Sequence, residues 1–82
     1  MKFVPKPKSI MGDWIAVHSR VVHCPIQFKH IPWGTVWIRE DIWNSPVRRY
    51  HTIKHEELEY HYMEDLKLSY PEAHRRANLI WG

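Results

Sequence analysis

Residues 47–68 read VRRYHTIKHEELEYHYMEDLKL, with few helix-breaking residues and an apolar period close to that of an α-helix. Advancing about 100° per residue brings six side chains onto one arc of such a helix. They are His51, His55, Leu58, Glu59, Tyr62 and Leu66. An amphipathic helix turns its apolar face toward the core. This helix is therefore predicted to carry His55 and Glu59 inward.

A second helix is predicted over residues 69–81. Ser69 and Glu72 fit the capping box S-x-x-E, and Pro71 falls in the first turn, where its missing N–H costs nothing. One face of this helix carries Tyr70, Ala73, His74, Ala77, Ile80 and Trp81. Because the connection between the two helices is very short, they are expected to pack against each other or against a sheet. His74 is then predicted to face inward as well.

The first half of the chain is predicted to form a small sheet. Residues 14–24 and 35–40 have the β-branched and aromatic content of strands, a turn is expected at 32–34, and residues 26–31 fit either a strand or a loop. Residues 1–9, rich in Pro and Lys, are predicted to be an extended or flexible arm. The predicted fold class is α+β. It is a single domain (1–82) with two to three antiparallel strands in 10–41, followed by packed helices at 47–68 and 69–81.

Length and composition exclude several classes of protein. With 82 residues, the chain is too short for a TIM barrel, a full dinucleotide-binding fold or a two-domain enzyme. The one cysteine cannot form an internal disulfide, whereas seven histidines supply the commonest metal ligand. No apolar run reaches the roughly 18–20 residues of a membrane span, and prolines and lysines interrupt any secretion-signal core. We therefore expect a cytoplasmic protein without membrane contact.

Residues 55–59 read HEELE, the pattern H-E-x-x-E. Residues i and i+4 share a helical face, so His55 and Glu59 can bind the same ion. His74 on the second helix is the natural third ligand, and two histidines with one carboxylate form a set that zinc accepts in hydrolases. Glu56, at the edge of the same face, could poise a bound water. The sequence therefore predicts a Zn²⁺ site of His55, Glu59 and His74, with Glu56 as the catalytic residue.

A family resemblance lies in the same residues. Residues 51–59, HTIKHEELE, resemble the active-site helix of zincin metallopeptidases, and in particular a small phage- and regulator-associated class. Residues 70–74, YPEAH, resemble the A-H helix of small uncharacterised archaeal and phage proteins with H-E-x-x-E. The resemblance covers residues 36–78 and implies a minimal zincin-like peptidase with Glu56 as general base. Zincins normally have a second histidine at the position of Glu59. An extended peptide is expected to pair with an edge strand at 36–40.

Other interpretations remain open at this point. Glu59 could be held without a metal, by a hydrogen bond from His55 or from Arg39. The same cluster could support a binding module that has no catalytic activity. A small basic nucleic-acid binder is the third alternative, although the acidic residues in 56–65 would repel that ligand. Its candidate contacts are Lys2, Lys6, Lys8, Arg48, Arg49, Trp33 and Trp43. Among the other histidines, His51 is a reserve ligand, and His18, His23 and His30 are assigned no role.

Overall fold

The computed structural model describes residues 1–19 and 28–82. In chain order the elements are β1 (Lys2–Lys6), α1 (Lys8–Met11), β2 (Ala16–His18), β3 (Thr35–Arg39), α2 (Glu40–Trp43), α3 (Pro46–Glu64) and α4 (Tyr70–Trp81). The three strands form one sheet, and α3 and α4 pack against each other at the C-terminal end of the chain. The predicted α+β class is therefore confirmed. None of the helices in the described ranges has the length and apolar character that crossing a bilayer requires.

The sheet is mixed, with the strand order β1-β3-β2. β2 pairs antiparallel with β3, as predicted, and places His18 opposite Val36. β1 pairs parallel with β3, from Lys2 opposite Thr35 to Lys6 opposite Arg39. The prediction of an all-antiparallel sheet is therefore wrong. Of the two alternatives for residues 1–9, an extended or a flexible arm, the extended one is observed at Lys2–Lys6. β1 can pair parallel with β3 because α1 and β2 lie between them in the chain and return it to the same direction.

The position of β3 corrects a second prediction. β3 is the central strand, because β1 pairs with it along one side and β2 along the other. Its backbone is therefore engaged on both sides, and an extended peptide cannot add to residues 36–40 as it would to a sheet edge. Val36 and Ile38 of β3 have no exposed surface and belong to the core, as expected of a central strand. Residue 40 already belongs to α2.

Two clusters of buried side chains lie on opposite faces of the sheet. One consists of Met11, Val17, Phe28 and Ile31, with Trp37 packed against it. The other consists of Val36, Ile38 and Ile42, and it includes contacts with Ala16 and with Ile53 of α3. Side chains alternate between faces along a strand, so His18, two positions after Ala16, faces the same way. The sheet therefore presents His18 on the face that carries the long helix.

The helices fall close to their predicted positions. α3 ends at Glu64, four residues earlier than predicted, and the chain then turns through Lys67, whose φ is 58°. α4 begins at Tyr70 after the predicted cap, in which the backbone N–H of Glu72 donates to Ser69 Oγ at 3.5 Å. The predicted strand at 14–24 is shorter, since β2 covers Ala16–His18. Its residues 20–24 and the first part of 26–31 lie outside the described residues.

Candidate metal centre

The long helix α3 carries two of the predicted ligands on its inner face. His55 is 9% exposed and Glu59 is 1% exposed, which places both inside the protein. The Nε2 atom of His55 lies 3.0 Å from Oε2 of Glu59. One helical turn separates the two residues, so the α3 backbone alone brings their side chains together.

The third predicted ligand comes from α4. His74 Nδ1 lies 2.8 Å from the same Oε2 atom of Glu59, and the rings of His55 and His74 are 5.2 Å apart between centroids. The side chain of His74 is 44% exposed, whereas that of His55 is 11% exposed. Tight packing at Ala73 and Ala77, both fully buried, lets α4 approach α3 closely enough for this contact. The structure thus brings together the three residues that the sequence grouped.

No role was predicted from the sequence for a fourth member of the cluster, His18 on β2. Its Nε2 atom lies 2.6 Å from Oε1 of Glu59, and its side chain has no exposed surface. The alternation of side chains along a strand predicts that His18 lies on one face of the sheet, but no local pattern predicts which helix packs against that face. A weak signal was available, since a buried carboxylate on α3 requires polar partners from whatever element covers it.

The two acidic residues of the cluster have opposite pKa shifts. Burial raises the pKa of Glu59, but hydrogen bonds donated by His18, His55 and His74 outweigh it and bring that pKa to about 2. Burial raises the pKa of Glu56 well above its usual range, and the negative charge of Glu59 adds to the effect. Without a cation, Glu59 is therefore ionised near neutral pH, whereas Glu56 holds its proton more tightly than an ordinary glutamate does. Within the described residues, Glu56 Oε2 is buried and has no hydrogen-bond partner.

The cluster opens into a pocket of about 660 Å³. Residues from the start of β2, from α3 and from α4 form its walls, including Ala16, Arg48, His51, Glu56, Tyr70, His74 and Trp81. Tyr70 is half-buried in this wall. Burial, followed by the charges of Glu59 and Glu56, raises its pKa to about 12, so the hydroxyl keeps its proton at neutral pH. The pocket falls in the size range of small-molecule binding sites, and His74 is part of its wall.

Several alternatives can be compared with the side-chain contacts. Arg39 donates from Nε to Oδ1 of Asp41 at 2.6 Å, so the alternative in which it holds Glu59 is wrong. The reserve ligand His51 lies against the ring of Trp81, 5.5 Å between centroids, in the pocket wall. The contacts of His51 and Arg39 therefore give neither residue a place among the ligand atoms. Of the residues predicted to contact nucleic acid, Lys6 lies over the ring of Trp37, 4.7 Å from its centre.

The geometry satisfies the first requirement of a metal site. One ligand atom each from His55, Glu59 and His74 can be chosen so that all lie within 4.8 Å of one another, and the same is true of His18, Glu56 and Glu59. Imidazole nitrogen and carboxylate oxygen are ligands that divalent transition metals accept. These buried His and Glu groups could therefore hold a metal ion.

Comparison of the whole chain with family models, curated proteins and solved structures found no match.

Proposed function

We propose that this chain is a minimal zinc-dependent hydrolase domain of the zincin-like kind, acting on peptides. Zn²⁺ would be held by His55, Glu59 and His74, and the fourth coordination position would face the pocket. The observation that supports this proposal above all is the convergence of ligands from two helices, with His74 Nδ1 only 2.8 Å from Glu59 Oε2. A catalytic zinc site needs three protein ligands and one open position.

The protein residues around that open position have distinct roles in the proposal. Bound zinc lowers the pKa of a water toward neutrality. Glu56, one residue after His55 and lining the same pocket, would take the proton of that water and pass it to the leaving amine. The hydroxyl of Tyr70 keeps its proton, so it can donate a hydrogen bond to negative charge that develops on the substrate oxygen.

The proposed peptide needs a position that differs from the one predicted at residues 36–40. In the described part of the sheet, β2 is the outer strand beside the pocket, and Ile15 and Ala16 line that pocket. Val17 and His18 of β2 are buried, so the peptide would lie in the pocket itself, against the exposed Ile15 and beside Glu56 and His74. The walls of the pocket would then select its side chain.

Purified full-length protein without a polyhistidine tag tests the proposal. Metal analysis is expected to find stoichiometric zinc, and an unfolded fluorogenic peptide mixture is expected to be cleaved. Glu56→Gln should keep zinc and lose at least about 100-fold in cleavage rate, the usual contribution of a general base. Glu57→Gln is the matched control, because Glu57 is exposed on the same helix and should retain full activity. Absence of zinc from the wild-type protein would refute the proposal.

A second function is supported by one observation, the complete set of hydrogen bonds to Glu59. His18, His55 and His74 satisfy this carboxylate without any ion, so the cluster can hold β2, α3 and α4 together by itself. The chain would then be a binding module with a structural polar core. Zinc bound without any peptide cleavage, and no effect of Glu56→Gln on partner binding, would favour this function over the first.

A further inference from the structure

Glu59 faces a different group of residues with each of its two carboxylate oxygens. Its Oε2 atom lies 3.0 Å from His55 Nε2 and 2.8 Å from His74 Nδ1. Its Oε1 atom lies 2.6 Å from His18 Nε2, on the side of the sheet. A carboxylate that presents one oxygen to each of two ligand groups has the arrangement of a bridging ligand between two cations.

The possible ligands form two groups. The inner group consists of His18, Glu56 and Glu59, and the outer group consists of His55, Glu59 and His74. His18, Glu56 and Glu59 are all buried, and one ligand atom from each can be chosen so that the three lie within 4.8 Å of one another. The set offers one imidazole nitrogen and two carboxylate oxygens, which suits Mn²⁺, Fe²⁺ or Zn²⁺. It shares only Glu59 with the outer group.

An independent observation at Glu56 points to an occupant of this inner position. Glu56 is 7% exposed, and in the described ranges its Oε2 atom has no hydrogen-bond partner. Buried side-chain polar atoms in folded proteins nearly always have a partner, because losing water without replacing it is costly. A cation between Glu56 and Glu59 would supply that partner and would remove the repulsion between the two carboxylates.

We propose that the cluster binds two divalent cations, bridged by Glu59. His55 and His74 complete the outer position and His18 and Glu56 the inner one. Two ions that share a carboxylate lie about 3.5–4 Å apart. The negative charges of Glu56 and Glu59 offset part of their charge. The positions differ in access, since the side chain of His74 is 44% exposed and that of His18 has no exposed surface.

This inference rests on the proposed function for its outer position and changes the role of one residue. With both positions filled, Glu56 is a ligand and is no longer the general base. A water shared by two cations loses its proton more readily than bulk water does, so a separate base is unnecessary. The number of ions per chain therefore distinguishes the two roles of Glu56.

The experiment uses the full chain without a polyhistidine tag, stripped with chelator and titrated with Mn²⁺ by calorimetry and electron paramagnetic resonance. We expect two ions per chain and, at saturation, loss of the six-line signal of isolated Mn²⁺ because two close ions couple. Glu56→Gln should bind one ion and restore the six-line signal. His18→Gln should do the same, and the pair of variants guards against one of them failing to fold.

His61→Ala is the control for ion binding at the protein surface. His61 lies on α3 outside the cluster, and its Nδ1 atom is 2.6 Å from Oδ2 of Asp65, in an exposed pair at the end of that helix. This variant should still bind two ions. One ion per wild-type chain would overturn the two-cation inference and leave the proposed function intact. No bound Mn²⁺ in the titration, together with no zinc in the purified protein, would overturn both. A drop from two ions to one in His61→Ala would overturn the inference as well, because the second ion would then lie on the surface.

Discussion

The Nε2 atom of His18 lies 2.6 Å from Oε1 of Glu59, although 41 positions separate the two residues in the chain. Both side chains are almost completely buried. This contact joins the outer strand β2 to the middle of α3, while His74 joins α4 to the same carboxylate. Three elements of the fold therefore meet at one ionised group, and we expect both stability and metal binding to depend on it.

Glu59→Gln should destabilise the metal-free protein strongly. The substitution removes the charge that accepts hydrogen bonds from three histidines and leaves their N–H groups imperfectly paired in a buried site. Breaking a buried pair by changing one partner costs about 3–5 kcal/mol. Urea unfolding in the presence of chelator measures the loss. Glu57→Gln, whose exposed side chain lies 3.9 Å from Lys54, should change stability by less than about 1 kcal/mol.

His18→Ala should show that the long-range contact is specific. Loss of this fully buried donor leaves Glu59 Oε1 without its partner, at a cost of about 1–3 kcal/mol plus the cavity left behind. His30→Ala, at an exposed position, is the control and should have little effect. In a double-mutant cycle with Glu59→Gln, the coupling energy should be about 0.5–3 kcal/mol. Additive effects of the two substitutions would show that the contact contributes nothing to stability.

Glu56→Gln should stabilise the metal-free protein at neutral pH. The pKa of Glu56 is raised well above its ordinary value of 4.5 in the folded protein. Below that ordinary value both states hold the proton and Glu56 contributes nothing. As pH rises above it, the unfolded chain releases the proton first, so the free energy of unfolding decreases until the folded pKa is reached.

Melting temperatures measured in chelator between about pH 4 and pH 8 test this sign. The variant should melt above the wild type at pH 7, and the two curves should converge near pH 4. Glu59 acts in the opposite direction in both proteins, because its pKa of about 2 makes its stabilisation disappear as pH falls from about 4.5 toward 2. Curves that stay parallel across the range would contradict the prediction.

Metal removal should lower the melting temperature of the wild-type protein. A ligand that binds only the folded state stabilises it by about 2.7 kcal/mol at 100 times Kd, and each kcal/mol is worth about 4–8 °C in a domain of this size. Chelator should therefore lower the wild-type value and have a much smaller effect on His74→Ala. His61→Ala, outside the cluster, should respond to chelator as the wild type does. Equal responses of His74→Ala and the wild type would exclude His74 as a ligand.

Part of the site could be predicted from the sequence because it is local. The spacing of His55 and Glu59 fixes their shared face through the geometry of one helical turn, whatever surrounds the helix. Ser69 and Glu72 likewise fix the start of α4, through contacts between neighbours in the chain. His74 followed from the apolar period of α4 together with the short connection between the helices. Each of these predictions depends on backbone geometry over a few residues.

The sequence by itself determined the α+β class, the two helices and the inward placement of His55, Glu59 and His74. Only the tertiary structure decided that β1 pairs parallel with β3, that β3 is central, and that His18 reaches Glu59. Strand pairing and contacts across the core depend on which distant surfaces fit together, and a strand's residues carry no local record of the neighbour they will meet. The helical periods determined which side chains point inward, and long-range packing determined which groups they meet there.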